Sequence, residues 1–300
     1  MKRFIISFFL FAVPILLFFF LRAAVIICWR AEDVKQVLTP EPGTCYLFLG
    51  DSHIGYSILP SRELHTHVLF QPGCHPLLSL FKLREMERLG LLNDISYCFM
   101  EIGYQTEASM NFCSLNAIFF SNFVYFWRYL PEMPVKVYLA LDTCCQRNVL
   151  NSELNSSPSQ TATSLTDRSA LLIKKQIEDV VESHFGYLSK LSDDMLPDYA
   201  ERIRYAVKEI HTICRRHHIC LVIFSSPLTS FYRKAIPYAA KQHMAQWKRF
   251  FEEQEIPYLD MTASMPDSAF VESHHLLAAK RGEFTSLLLT ELKNIPRLNP

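Results

Sequence analysis

Apolar positions along this chain fall into three textures. Phe4 to Leu21 is an unbroken uncharged run at the amino end. From Cys45 onward, short apolar runs alternate with longer stretches whose apolar residues recur every three to four positions. The short runs, rich in aromatic and β-branched residues, predict strands at Cys45–Leu49, Thr66–Phe70, Ile95–Ile102, Val135–Leu141, Ile219–Phe224 and Ile256–Asp260. The helical spacing predicts helices over Leu77–Leu92, Ser169–Lys190, Leu196–Arg216, Pro237–Glu255 and Leu276–Leu292. Asn111–Leu130 is strongly aromatic but carries Asn116, Asn122 and Arg128, too polar for a membrane span. A helix buried in the domain is the favoured reading there, and a membrane-resting surface the alternative. Gln146–Asp167 is rich in Ser, Thr and Asn without periodicity and reads as a surface insertion. Strands that alternate with helices predict an α/β fold with a parallel sheet covered on both faces.

The amino-terminal run changes the picture of where such a domain works. Eighteen uncharged residues begin to span a bilayer, and Ala23–Cys28 extends the run if Arg22 snorkels. Trp29-Arg30 then fall at the far interface, and Lys2-Arg3 keep the amino end in the cytoplasm, placing the rest outside. A cleaved signal peptide is the alternative, kept open by Ala23-Ala24 although no clean small-x-small site follows. The expected organisation is an anchor at 1–30, a polar linker at 31–44 and one α/β domain at 45–300, with the insertion near 146–167. Half of the residues are hydrophobic, ample for one large core. Thirty basic residues balance thirty acidic ones with no basic stripe, which argues against a nucleic-acid partner. Nine cysteines show no C-x-x-C spacing, so a structural zinc site has little support, and Cys45, Cys98 and Cys220 read as small buried hydrophobes on strands.

Chemistry concentrates at the two ends of the domain. Gly50-Asp51-Ser52-His53 follows the first strand, which puts a serine hydroxyl at the carboxyl edge of the sheet. Serine needs a base within hydrogen-bond reach. Glu272-Ser273-His274-His275-Leu276 offers one before the last helix. His275 can take the serine proton, and Glu272, three positions earlier, can hold the imidazole in the right tautomer. The plainer reading makes Ser52 a turn or capping residue and His274-His275 a surface pair. Asp260 and Asp267 are lesser candidates for the acid. His65, His67 and His75 lack ligand spacing, and no metal or cofactor is expected.

These two blocks together resemble the SGNH/GDSL hydrolase superfamily, in its membrane-anchored bacterial envelope form. The resemblance implies a three-layer α/β/α sandwich with a flavodoxin-like sheet, and a domain on the periplasmic side. It implies Ser52 as nucleophile, His275 as base and Glu272 as the orienting acid. The oxyanion donors would be the Ser52 N–H, the Gly73 N–H in Gln71-Pro72-Gly73, and a side-chain amide after the third strand. The family carries asparagine at that last place; here Gln105 is the available amide. Glu272 stands where Asp is frequent, and Leu277 where Asn is frequent. Asp51 and His53 become walls of the site. The implied activity is a serine esterase or O-acyltransferase working through an acyl-serine intermediate. Its substrate would be an acylated envelope glycan or a lipid ester, with a membrane acyl-donor partner in the transferase case. The rival is a non-catalytic binding or assembly protein that keeps the fold.

Overall fold

Five of the predicted strands pair in parallel into one sheet. The computed structural model describes residues 35–73, 75–106, 170–185 and 196–295, with the single positions 13, 17, 21 and 129. The strands are β1 (Tyr46–Gly50), β2 (Thr66–Phe70), β3 (Tyr97–Glu101), β4 (Cys220–Ser225) and β5 (Tyr258–Asp260). Their order is β2-β1-β3-β4-β5. The order reverses direction between β1 and β3, and ligands of open parallel sheets bind outside the strand ends at such a switch point. Ser52 lies just beyond the end of β1.

The helices are α1 (Ser52–Ser57), α2 (Pro76–Arg88), α3 (Ala170–Phe185), α4 (Leu196–Arg216), α5 (Ser230–Ala235), α6 (Tyr238–Glu253) and α7 (Arg281–Lys293). Alternation along the strands sorts the core into two faces. Leu47, Leu49, Cys98, Met100, Leu221 and Ile223 pack against α2, α4 and α6, where Phe81, Ile210 and Trp247 are buried. Phe48, Phe99, Val222 and Phe224 face the other way, onto Ile54 and Ile58 of the α1 segment and Phe284 and Leu288 of α7. Phe48 and Phe99 stack at 4.6 Å across the β1–β3 register, with Phe224 edge-on. A sheet with both faces buried explains why its strands read as continuous apolar runs.

Two boundaries differ from the periodicity reading by four or five residues. The last helix starts at Arg281, not Leu276, because Leu276 forms an antiparallel bridge with Phe270 and the Leu277 N–H donates to the Ala269 carbonyl. The helix predicted to Leu92 stops at Arg88, and Gly90 follows in the left-handed region at φ +69°. The segment before β1 is stitched to the domain rather than standing apart from it. Leu38 is buried in the core, and His65 Nδ1 lies 2.8 Å from the Gly43 carbonyl. Almost all of the anchor, nearly all of the aromatic segment 111–130, the strand expected at Val135–Leu141 and the insertion lie outside the described residues. Among the described residues no helix is long and apolar enough to cross a membrane. Cys45, Cys98, Cys214 and Cys220 are free thiols.

Candidate active site

The first block folds as a strand, a tight exit and one short helix. Gly50 is required by close approach: a Cβ there would lie 2.4 Å from Ile54 Cγ1. Asp51 caps α1, its Oδ1 accepting from the His53 N–H at 2.8 Å. Ser52 is therefore the first helical residue, where a backbone N–H has no carbonyl partner within the helix. The exit of β2 is tied to the same place, since the Gln71 N–H donates to the Gly50 carbonyl at 3.2 Å. Gly73 follows in a turn at φ +65°, a conformation that favours glycine.

The second block is a closed loop. The Val271 N–H donates to the His275 carbonyl at 3.0 Å beneath the Phe270–Leu276 bridge. Thr229, the cap of α5, clamps it from outside: its N–H and Oγ1 both donate to the Ser273 carbonyl, at 3.2 and 2.8 Å. Asp267 is engaged in that clamp, accepting from Ser230 N and Oγ. Asp260 binds Lys248 and Thr262. Both lesser acid candidates are thus committed to structural roles.

The loop brings the two blocks together. His275 Nε2 lies 3.1 Å from Ser52 Oγ, between residues 223 apart in sequence. His275 Nδ1 is hydrogen-bonded to Glu272 Oε1. Gln176 on α3 donates to the other Glu272 oxygen at 3.2 Å. Tyr56, one turn after Ser52, stacks on the His275 ring at 4.3 Å. Neither Gln176 nor Tyr56 was visible as a site residue in the sequence. The i+4 spacing from Ser52 to Tyr56 on a helix is the signal that could have found Tyr56.

Behind the serine lies a buried polar cluster. His53 is 2% exposed, and its Nδ1 is 3.0 Å from Asp51 Oδ1 and 3.9 Å from Glu101 Oε1. Gln105, 3% exposed, donates to Glu101 Oε1 at 2.8 Å and lies 3.1 Å from His53 Nδ1. Its amide folds back over Gly103, where a Cβ would come within 2.6 Å of Gln105 Oε1. This placement differs from the oxyanion-donor expectation for Gln105. The physical reason is that a buried Glu101 at the end of β3 needs a donor, and this amide supplies it. Asp51 and His53 form a buried pair as well as lining the site. His274 and His184 complete the histidine wall, 5.0 and 6.4 Å from the His53 ring.

Charge is sorted within this cluster. Burial works against His53, but the Asp51 and Glu101 carboxyls outweigh it and raise the imidazole to about 9. Burial alone would raise the Asp51 carboxyl; the adjacent His53 holds it below its ordinary value instead. Burial and then the Asp51 charge push Glu101 well up, toward its neutral form. At the His275–Glu272 pair, burial also works against the Glu272 carboxylate, but its bond to His275 lowers it. Burial, opposed by the Glu272 bond and reinforced by the His53 charge, keeps His275 below the ordinary histidine value. His275 is therefore a neutral base at pH 7, with Nδ1–H on Glu272 and the Nε2 lone pair toward Ser52. A serine, a neutral imidazole and a carboxylate in that line can perform nucleophilic acyl transfer.

No family model matches the chain, and no curated protein does. Among solved structures, a candidate acylhydrolase from Bacteroides fragilis is similar over 88% of this chain and 94% of its own, at 9% identity and a TM-score of 0.42. At that identity and TM-score the likeness transfers neither a fold nor an activity.

Proposed function

We propose that this protein is an SGNH-type serine hydrolase that cleaves an ester acyl group through an acyl-Ser52 intermediate. The observation that carries the reading is the Ser52 Oγ–His275 Nε2 contact of 3.1 Å, with Glu272 on the opposite ring nitrogen. His275 takes the Ser52 proton as Oγ attacks the ester carbonyl. The tetrahedral oxyanion is met by the Ser52 N–H at the start of α1 and by the Gly73 N–H. His275 passes its proton to the leaving alkoxide, then deprotonates the water or sugar hydroxyl that resolves the acyl-serine. Glu272 stays ionised throughout and stabilises the transient imidazolium.

The finer reading is an anchored enzyme facing the periplasm, acting on an acylated envelope glycan as esterase or O-acyltransferase. The apolar run Phe4–Leu21 behind Lys2-Arg3 supports the anchor and its orientation. The substrate class rests on the family resemblance. A binding-protein reading has one observation in its favour: the Gln105 amide is engaged with Glu101 and His53.

The test is fluorophosphonate labelling of the full-length chain in detergent, beside Ser52→Ala and His275→Ala. Labelling that both substitutions abolish supports an activated serine. A folded chain that does not label in the presence of a chelator supports the binding-protein reading.

A further inference from the structure

Three imidazoles around Ser52 are arranged alike. Each has an oxygen on Nδ1: Asp51 Oδ1 for His53 at 3.0 Å, Ser273 Oγ for His274 at 2.9 Å, and Glu272 Oε1 for His275. Each Nδ1 is thereby engaged, which leaves Nε2 as the second ring nitrogen; on His275 it faces Ser52 Oγ at 3.1 Å. One ring nitrogen from each histidine falls within 4.8 Å of the other two. The rings crowd together, with centroids 4.1 Å apart for His274–His275, 5.0 Å for His53–His274 and 5.2 Å for His53–His275. His53 Nε2 is fully buried, and among the described residues nothing hydrogen-bonds to it. A buried ring nitrogen without a partner is costly, and this one belongs to a ring packed between two further imidazoles.

A carboxylate or other oxygen on one imidazole nitrogen, with the second nitrogen turned to a shared point, is the outer-shell arrangement of histidine metal sites. The charge fits once the ion has displaced the proton that His53 carries: three neutral imidazoles then bring no charge to a divalent ion, and the Asp51 and Glu272 carboxylates behind them offset its two positive charges. Zinc at about 2.1 Å from each nitrogen needs them about 3.4 Å apart, so nitrogens within 4.8 Å of one another close by at most about 1.4 Å. Imidazole ligands without thiolate or bidentate carboxylate suit a borderline ion such as Zn²⁺ or Co²⁺ rather than Ca²⁺ or Mg²⁺.

We propose that His53, His274 and His275 bind a divalent transition metal of the zinc class, and that the bound ion switches the serine off. The switching half rests on the serine chemistry proposed above; the binding half does not. A metal on His275 Nε2 occupies the lone pair that accepts the Ser52 proton, so the metal-bound protein has no base. Binding forms a bond from one nitrogen of each imidazole to the ion and releases the His53 proton to solvent; a chelator takes the ion back and the proton returns. The histidine pair at 274–275 gave no such signal in sequence, because its third partner lies more than 200 residues away.

The test uses the full-length chain in detergent, stripped with a chelator and titrated with Co²⁺, which reports its ligand field in visible absorption. One equivalent should bind with the bands of a low-coordinate nitrogen site, and Zn²⁺ should displace it. His274→Gln and His53→Gln, each checked for folding by thermal melt, should weaken binding at least tenfold. In parallel, Zn²⁺ should suppress fluorophosphonate labelling and a chelator should restore it. The ratio of labelling with and without chelator should fall at least tenfold in His274→Gln, whatever its absolute rate. Absence of a Co²⁺ band would overturn the proposal, as would bands unchanged in both variants or a thiolate charge-transfer band. A wild-type band without labelling in chelator would sink the serine reading and leave the metal site standing.

Discussion

His275 can act as a base only while its Nε2 lone pair is free, and its neighbours decide over what pH range that holds. Burial and the positive His53 ring disfavour its protonation, while Glu272 favours it, and the balance lies below the ordinary histidine value of 6.5. With a chelator present, labelling should hold its plateau through neutral pH and fall only as pH drops through that lowered value. His53→Gln removes the positive neighbour, so its midpoint should move up toward the ordinary value. Rates of fluorophosphonate labelling across pH measure both; a wild-type midpoint above 6.5 would contradict the charge assignment. Glu272→Gln tests the other side of the ring. The amide can present its N–H to His275 Nδ1 and favour the tautomer with the proton on Nε2, the wrong one for accepting from Ser52. A loss on the order of 10³-fold in labelling rate is expected, with the fold intact by thermal melt. The residues of this pair were readable because a short block carries each of them. Tyr56 and Gln176 were not, because their contact with the site exists only after α1 and α3 have docked.

At the scale of elements, α1 is held against β2 by the absence of one side chain. A Cβ on Gly55 would lie 2.3 Å from Phe70 Cδ2 and 2.8 Å from Phe70 Cγ, against a ring that cannot bend out of the way. Gly55→Ala must therefore push the helix off the sheet, and Ser52 at its start moves with it. Overpacking of this kind costs about 1–3 kcal/mol. Denaturant unfolding should show that loss, and labelling should fall with it. Gly55→Ala combined with Phe70→Leu should recover part of both, since a smaller neighbour relieves the same clash. An additive double variant would place the cost elsewhere. The helix concerned was nearly illegible: six residues are too few to show a 3.6-residue period, and the same is true of α5. The long amphipathic α4 showed its full extent, Leu196–Arg216, and β2 did so at Thr66–Phe70. The start of the last helix was misread because Leu276 and Leu277 continue its apolar pattern while their backbone closes the histidine loop.

Across the whole molecule, the candidate site joins the first strand's exit to the loop before the last helix. A sequence reveals such a site when each end carries its own short block, as Gly50-Asp51-Ser52 and Glu272-x-x-His275 do. The clustering of His53 with His274, and the engagement of Gln105 by Glu101, depend on strand order and on which way buried polar groups find partners. Neither is written in local spacing. The segment before β1 shows the same limit. Its prolines and polar residues read as a linker, yet Leu38 is 5% exposed within the core face that holds Leu47 and Leu49. Around it, Thr44 Oγ1 donates to the Glu41 carbonyl at 2.6 Å, and Arg62 pairs with the Glu41 carboxylate. Val37, next in the chain, is 65% exposed and serves as an internal control. Leu38→Ala removes a buried side chain and should cost about 2–3 kcal/mol in denaturant unfolding. Val37→Ala should stay within about 0.5 kcal/mol of wild type. If both substitutions are silent, residues 35–44 contribute nothing to the core, and the domain begins at β1. If only Leu38→Ala is costly, the folded unit starts at least eight residues before its first strand.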